Sequence, residues 1–352
     1  MSAASAVVSG AGGGERIVRP EFTGSAREYF RIWIVNLFFT LITLGIYSPW
    51  AKVRKKRYFY GNTRVDGDTF DYFANPKVIL KGRIVAVVVF VTYAFAAELY
   101  PASAFAFWGI FLLLLPWLVM RALTFNARNS AYRGLRFDFT ATPTEAARIY
   151  IGMPIIVALT AGIAFPWFAA RQKAFVVSRH ALGTTGFGCE ISAREFYAIY
   201  LIAGILLFFL TVPLAMLMGF IAASQAIPEA MSWAGIAVPM GLMYLSYLGV
   251  FAYMQARTTN LLWNGAYGPG MRFSSTLSAA KLARLYLGNV VAIAATAGFL
   301  IPWAVIRTLR YRLENLAITI EGDSVHEASP ALERVGATGQ EIGDIFNLDL
   351  GI

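Results

Sequence analysis

Apolar residues in this chain fall into seven blocks separated by polar connections. The blocks run over about 32–50, 84–99, 104–120, 149–170, 197–222, 232–254 and 285–306. They approach or exceed the roughly 20 residues that a bilayer-crossing helix needs. The second and third are joined by ELYPAS and the fifth and sixth by ASQAIPEAMS, neither of which holds a Lys or Arg. Each pair predicts a helical hairpin, over 84–120 and 197–254, whose tip faces away from the cytoplasm. The other connections are basic.

The remaining three blocks align with one another on Pro-Trp without gaps. They are RIWIVNLFFTLITLGIYSPWAKVR (31–54), RIYIGMPIIVALTAGIAFPWFAAR (148–171) and RLYLGNVVAIAATAGFLIPWAVIR (284–307). Shared positions are Arg31, Arg148 and Arg284, then Thr43, Thr160 and Thr296. Gly45, Gly162 and Gly298 follow, then Pro49-Trp50, Pro166-Trp167 and Pro302-Trp303. Arg54, Arg171 and Arg307 close the pattern. Self-similarity at this level predicts duplication. Short strands are expected at EFTG (21–24), RFDF (136–139) and RFSS (272–275), just before the copies. NTRVDGDTFDYF (62–73) alternates around Asp66-Gly67, a hairpin signal. LGTTGFGCEI (182–191) and LAITIEGD (316–323) hold the same place in the other copies. Arg121 and Arg257 also match, at the offset of the second and third Pro-Trp pairs. The expected architecture is all-helical and polytopic, with short β-hairpins in the cytoplasmic connections and a Gly/Pro-broken helix used three times.

Gly just past a helix end and Pro in the first turn of the next mark a break. In the first copy Ser48 is the expected N-cap; Phe165 and Ile301 stand in its place in the others. Two topologies compete. If each copy crosses, there are seven spans, and 12 of the 30 Lys and Arg fall on the wrong side. If each copy turns back at its break, all basic residues are cytoplasmic. Length favours crossing and charge favours return. The balance goes to four full spans with three non-crossing or deeply bent repeat helices.

Composition agrees with a membrane protein: 58% hydrophobic and 14% charged, against roughly 45–50% and about 25% in globular chains. The net charge of +10 sits in the connections, which points to anionic lipid headgroups at the cytoplasmic face. Nucleic acid is a poor match, because no compact basic domain exists. Cys189 is the only cysteine, so no internal disulfide forms. His180 is expected in a solvated loop. Residues 1–20 read as a disordered leader, 21–320 as one membrane domain and 321–352 as an acidic mobile tail. GAGGG (10–14) lacks the strand and the Gly-Lys-Ser/Thr of a phosphate loop. No metal cluster, nucleophile motif or cofactor signature is present, so no enzymatic activity is expected. Asn36, Asn289, Thr40, Thr43, Thr160, Thr296, Thr92, Thr211 and Ser246 are expected to hydrogen-bond between helices. Trp50/Arg54, Trp167/Arg171 and Trp303/Arg307 share helix faces at i, i+4 and suit cation stacking.

At TLGIYSPWAKVRKKRYFYGNT, with EFTGSAREYFRIWIVN before it and DGDTFDYFANPKVILKGRI after it, the chain resembles the YjgN-like family of bacterial inner-membrane proteins of unknown function. The resemblance covers about 20–320 and implies a multi-pass inner-membrane protein. It implies no activity, substrate or catalytic residue. The broken helices suggest a transport or channel-like role; the alternative is a non-catalytic lipid-binding or scaffolding protein.

Overall fold

Each Pro-Trp block folds as two helices, and the second returns to the start of the first. The computed structural model describes residues 8–9, 15–223 and 229–321. β1 (Val8–Ser9) pairs with β2 (Glu15–Val18), and β3 (Glu21–Phe22) follows. α1 (Ala26–Ile42) opens on a capping box: the Ser25 hydroxyl accepts the Glu28 N–H at 3.2 Å, and the Glu28 carboxylate accepts the Ser25 N–H at 3.3 Å. The chain breaks at 43–47 and continues as α2 (Ser48–Asn62), β4 (Thr63–Val65) and β5 (Asp68–Tyr72). The first long pair is α3 (Pro76–Leu99) and α4 (Ser103–Arg128), then β6 (Ser130–Tyr132) and β7 (Leu135–Phe139).

The second block is α5 (Pro143–Ala147), a π turn (Arg148–Gly152), α6 (Met153–Leu159), the break, and α7 (Phe165–Ser178). The wide turn sits just before Pro154, which has no N–H to give an ordinary helical turn. β8 (His180–Leu182), β9 (Thr185–Gly186) and β10 (Gly188–Cys189) lead to the second long pair, α8 (Ala193–Ala223) and α9 (Glu229–Gly265). β11 (Ala266–Gly268), β12 (Met271–Ser275), α10 (Ala279–Ala295), α11 (Ile301–Glu314) and β13 (Leu316–Glu321) complete the described chain.

The strands form two antiparallel sheets, ordered β1-β2-β13-β12-β11-β10 and β3-β4-β5-β6-β7-β8-β9. Residues 15–22 pass from one sheet to the other at β2 and β3, and residues 185–189 do so at β9 and β10. The two sheets are thus joined by chain at two places around a shared core, with β1 and β10 at the edges of one and β3 and β9 at the edges of the other among the described strands. Val65, Tyr132, Leu182, Ile318 and Ile320 are buried together within that core, with Phe70, Phe137 and Phe273 against them. Tight turns need left-handed backbone, supplied by Asp66-Gly67 (φ 51° and 84°) and Arg133-Gly134 (φ 51° and 77°). Arg16 grips Asp66 with two hydrogen bonds, at 2.9 and 2.6 Å, and Arg133 adds a third at 2.9 Å.

The expected strands are present, with corrections elsewhere. Residues 15–18 form a strand, not a disordered leader, because β2 supplies the partner for β13 over Val18↔Ile318 to Glu15↔Glu321. Residues 1–7, 10–14 and the tail from 322 lie outside the described residues. His180 lies in β8, half-buried. Its ring centroid is 5.1 Å from that of Phe139, and its Nδ1 is 2.6 Å from the Val176 carbonyl oxygen. Burial pushes its pKa below the ordinary imidazole value. The long helices outrun their apolar blocks: α3 starts two turns earlier and α4 ends two turns later.

Four helices are long and apolar enough to cross a membrane: 76–99, 103–128, 193–223 and 235–265. No more than 17% of each apolar window is buried, so their outer faces need an apolar surrounding.

Candidate functional site

The shared Thr, Gly and Pro have one geometric explanation. In the first break the Thr43 hydroxyl donates to the Phe39 carbonyl at 2.7 Å and accepts the Tyr47 N–H at 2.9 Å. The Gly45 N–H reaches back to the Thr40 carbonyl at 2.8 Å, with Leu44 and Gly45 at φ 48° and 91°. The N–H groups of Thr43, Leu44, Ile46, Ser48, Trp50 and Ala51 also have backbone acceptors. Pro49 has none to satisfy. Every backbone N–H from 43 to 51 is thus accounted for within the turn.

The same bonds occur at the other two breaks. The Thr160 hydroxyl accepts the Ala164 N–H and the Thr296 hydroxyl the Leu300 N–H, both at 3.1 Å. Gly162 and Gly298 bond to the Val157 and Ile293 carbonyls at 2.8 and 2.9 Å, with φ 88° and 94°. Non-glycine residues precede them in the left-handed region, Ala161 at 50° and Ala297 at 48°. The cap expected of Ser48 is therefore Thr43. Tyr47 is the N-cap and offers no side-chain bond, while Ser48 sits inside the first helical turn and bonds the Gly45 carbonyl. Phe165 and Ile301 can replace it because the cap never depended on it.

The break reverses the chain. The Tyr58 hydroxyl, near the end of α2, accepts the Ser25 N–H at 2.9 Å, before the start of α1. Midway, the Asn36 amide donates to the Ala51 carbonyl at 3.4 Å. In the third block the Tyr311 hydroxyl accepts the Ser278 N–H at 3.0 Å, and Asn289 donates to Ala304 at 3.4 Å. At the base, the N–H groups of Thr23, Thr140 and Thr276 donate to the carbonyls of Asn62, Arg179 and Asn315 at 2.8–3.0 Å. The strands flanking each block pair as β3–β4, β7–β8 and β12–β13. Both feet of each block stand on the sheets.

The depth of two breaks is fixed by the long helices. Arg83 of α3 bonds the Ser48 hydroxyl and lies 3.5 Å from the Gly45 carbonyl. Tyr200 of α8 packs against Phe165, with ring centroids 5.6 Å apart. Both contacts fall seven residues into their helix, Arg83 at the start of the uncharged run of α3 and Tyr200 about one turn inside that of α8. The tips are apolar and open: Leu44 is 94% exposed, Ile163 73% and Phe299 55%.

The other candidate residues divide. Pro49, Pro166 and Pro302 are buried, while Arg54, Arg171 and Arg307 are exposed. Among the described residues the expected stack occurs at one copy, Arg307 over Trp303 at 5.0 Å; Trp50 instead stacks on Tyr47 at 6.1 Å. The matched Arg121 and Arg257 lie over Trp117 and Tyr253, at 5.4 and 5.9 Å. Thr43, Thr160, Thr296, Thr92, Thr211 and Ser246 donate to carbonyls of their own helices at 2.6–2.8 Å, not across helices. The Thr caps and the Tyr58 and Tyr311 latches escaped the sequence reading. The shared Thr was the available signal. A cleft of about 390 Å³ lies between α2, α10 and α11.

Paired long apolar helices and three reversed helices on a β platform define a class: a mainly helical protein built against a bilayer. The chain belongs to the family described as bacterial protein of unknown function (DUF898), which matches residues 18–345. It is 30% identical over 140 residues to the inner membrane protein YjgN of Salmonella typhimurium, covering 39% of this chain and 35% of that protein. It is 32% identical over 150 residues to the inner membrane protein YjgN of Escherichia coli K12, covering 41% and 36%. The aligned stretch thus spans about a third of the length of these relatives. No solved structure matches.

Proposed function

We propose that this protein is a non-catalytic, lipid-binding scaffold of the bacterial inner membrane. Its four long helices cross, and its three broken helices are copies of one unit that dips into the cytoplasmic interface and returns. The observation that carries this is the level of the first break, at Arg83, where the apolar part of α3 begins. An apolar tip held there meets the boundary of headgroup and acyl chain. Basic residues follow the tip at once: Lys52, Arg54, Lys55, Lys56 and Arg57. They suit anionic lipid. The relatives' printed name, inner membrane protein, agrees with this placement.

The transport reading loses its motive. Broken helices serve transport by presenting unpaired backbone groups near the midplane. Here the N–H groups of the first break are spent within the turn, and it sits near the charged start of α3. Irregular backbone facing lipid is costly unless it is satisfied, and the N–H groups of the first turn meet that condition within the turn.

Cysteine labelling tests the arrangement in a Cys189→Ala background. Ala102→Cys, at the tip of the first long pair, should react from the periplasm. Thr184→Cys, in the β8–β9 turn, should react only after permeabilisation. Leu44→Cys should stay closed to periplasmic reagent. Periplasmic labelling at Leu44 or Thr184 would overturn the dipping reading. Solute flux into vesicles holding the purified protein would overturn the scaffold reading.

A further inference from the structure

The cleft between α2, α10 and α11 lies where the architecture is incomplete. The α3–α4 pair stands between the first and second blocks and the α8–α9 pair between the second and third. Between the third and the first, α11 packs directly on α1. Tyr200 and Arg83 brace the first two breaks from the helix that follows each. No such helix follows α11 among the described residues.

The lining of the cleft is graded along its length. At the break end it is apolar, with Ile293, Ile301 and Val305. Toward the sheets it turns polar and cationic, with Lys55, Tyr286 and Arg312. Ile301 and Arg312 are eleven residues apart on one helix, about 16 Å at ~1.5 Å per residue. The Arg312 guanidinium is positioned by the Tyr286 hydroxyl at 3.2 Å. Asn289 is occupied: its amide nitrogen donates to Thr308 at 3.0 Å, and its oxygen accepts from Arg307 at 3.3 Å. Lys55 and Arg312 are the cationic side chains of the lining, both at the polar end.

We propose that this cleft holds one anionic glycerophospholipid, its phosphate between Lys55 and Arg312 and its first methylenes along Val305, Ile301 and Ile293. The gradient selects the class. A free phosphate uses the cations and leaves the apolar end empty. A zwitterionic headgroup brings its own cation against Lys55 and Arg312. The lipid supplies at this seam the apolar filling that a helix pair supplies at the other two. The inference rests on the interfacial placement proposed above.

Native mass spectrometry of the full chain in detergent, with phosphatidylglycerol added, is the test. One adduct should persist at collision energies that strip the rest, and phosphatidylcholine should give none. Lys55→Gln with Arg312→Gln should cut that adduct at least tenfold. Val305→Phe, which keeps both cations and fills the apolar end, should do the same. Equal adducts in wild type and Val305→Phe would overturn the proposal, as would displacement of the lipid by inorganic phosphate alone. Labelling at Thr184→Cys separates the two readings. If it stays cytoplasmic while the adduct is absent, the cleft assignment falls and the interfacial placement stands. If it becomes periplasmic, the placement itself falls.

Discussion

The Thr43 hydroxyl accepts the N–H of Tyr47 at 2.9 Å, so one side chain closes the turn between the two arms of the first broken helix. Tyr47 is the N-cap of α2 and has no other acceptor in the turn. Thr43→Val keeps shape and β-branching and removes the acceptor. It should cost about 1–3 kcal/mol, the range for leaving a donor without a partner. Thr43→Ser should restore most of it. Denaturant unfolding of both variants in the same detergent measures this. Equal stability of the Val variant and the wild type would refute the capping role.

Gly45 separates backbone conformation from packing. Its φ is 91°, and an added Cβ meets nothing within 4 Å. Gly45→Ala should lose about 1–2 kcal/mol through left-handed strain alone. Gly162→Ala should lose a similar amount, because that site is equally open. Thermal unfolding of the two single variants checks the match. A loss at one site and none at the other would show that the turns are not equivalent.

Asp66 ties the amino-terminal strand to the first hairpin through Arg16. Asp66→Asn preserves the left-handed turn, which Asn tolerates, and removes the charge that Arg16 and Arg133 share. Partly exposed pairs are worth about 1 kcal/mol or less, so global stability should change little. β2 should nevertheless loosen, with trypsin cleaving after Arg16 several-fold faster. Unchanged cleavage would show that pairing with β13 alone holds the strand.

His180 and Glu145 give acid sensitivity in two windows. Burial lowers the His180 pKa, while its contacts with the Val176 carbonyl and Asp138 act the other way. Its folded pKa lies below the unfolded value near 6.5. The unfolded state then binds more protons between the two values, so stability is full above about 6.5 and falls as pH drops below it. Glu145 is lowered by its bond to the Thr142 N–H, with Arg179 assisting. Its contribution is present above about 4.5 and fades below that. His180→Phe should flatten the upper window only, read as Tm against pH. A slope near pH 6 that persists in this variant would assign the effect to another group.

The four long helices were legible because their apolar runs approach or exceed the length of a crossing and their tips lack Lys and Arg. The hairpin strands were legible from alternation around Asp66-Gly67. The reversal at each break was legible only from the charge balance, which length opposed. Its return arm carries Lys52 to Arg57 in the first copy and so looks like solvent-facing connection, while the ingoing arm alone has the length of a crossing. Only the pairing of Ser25 with Tyr58 and of Asn36 with Ala51 distinguishes a return from a kink. Those contacts join residues 33 and 15 positions apart. Ser48 attracted the capping role because Ser before Pro is a common helix start. The true cap, Thr43, acts from the preceding helix, where no N-cap rule looks for it. The pairing of β2 with β13 was hidden for a similar reason, since the two lie at opposite ends of the described chain.

That pairing of β2 with β13 also sets an order on synthesis. The strand at 15–18 leaves the ribosome long before its partner at 316–321. Until that partner emerges the platform must stand open, with unpaired edges. A late step of assembly should therefore be the meeting of β2 with β13. A nascent chain arrested before residue 316 would carry all four long helices and still lack its seal.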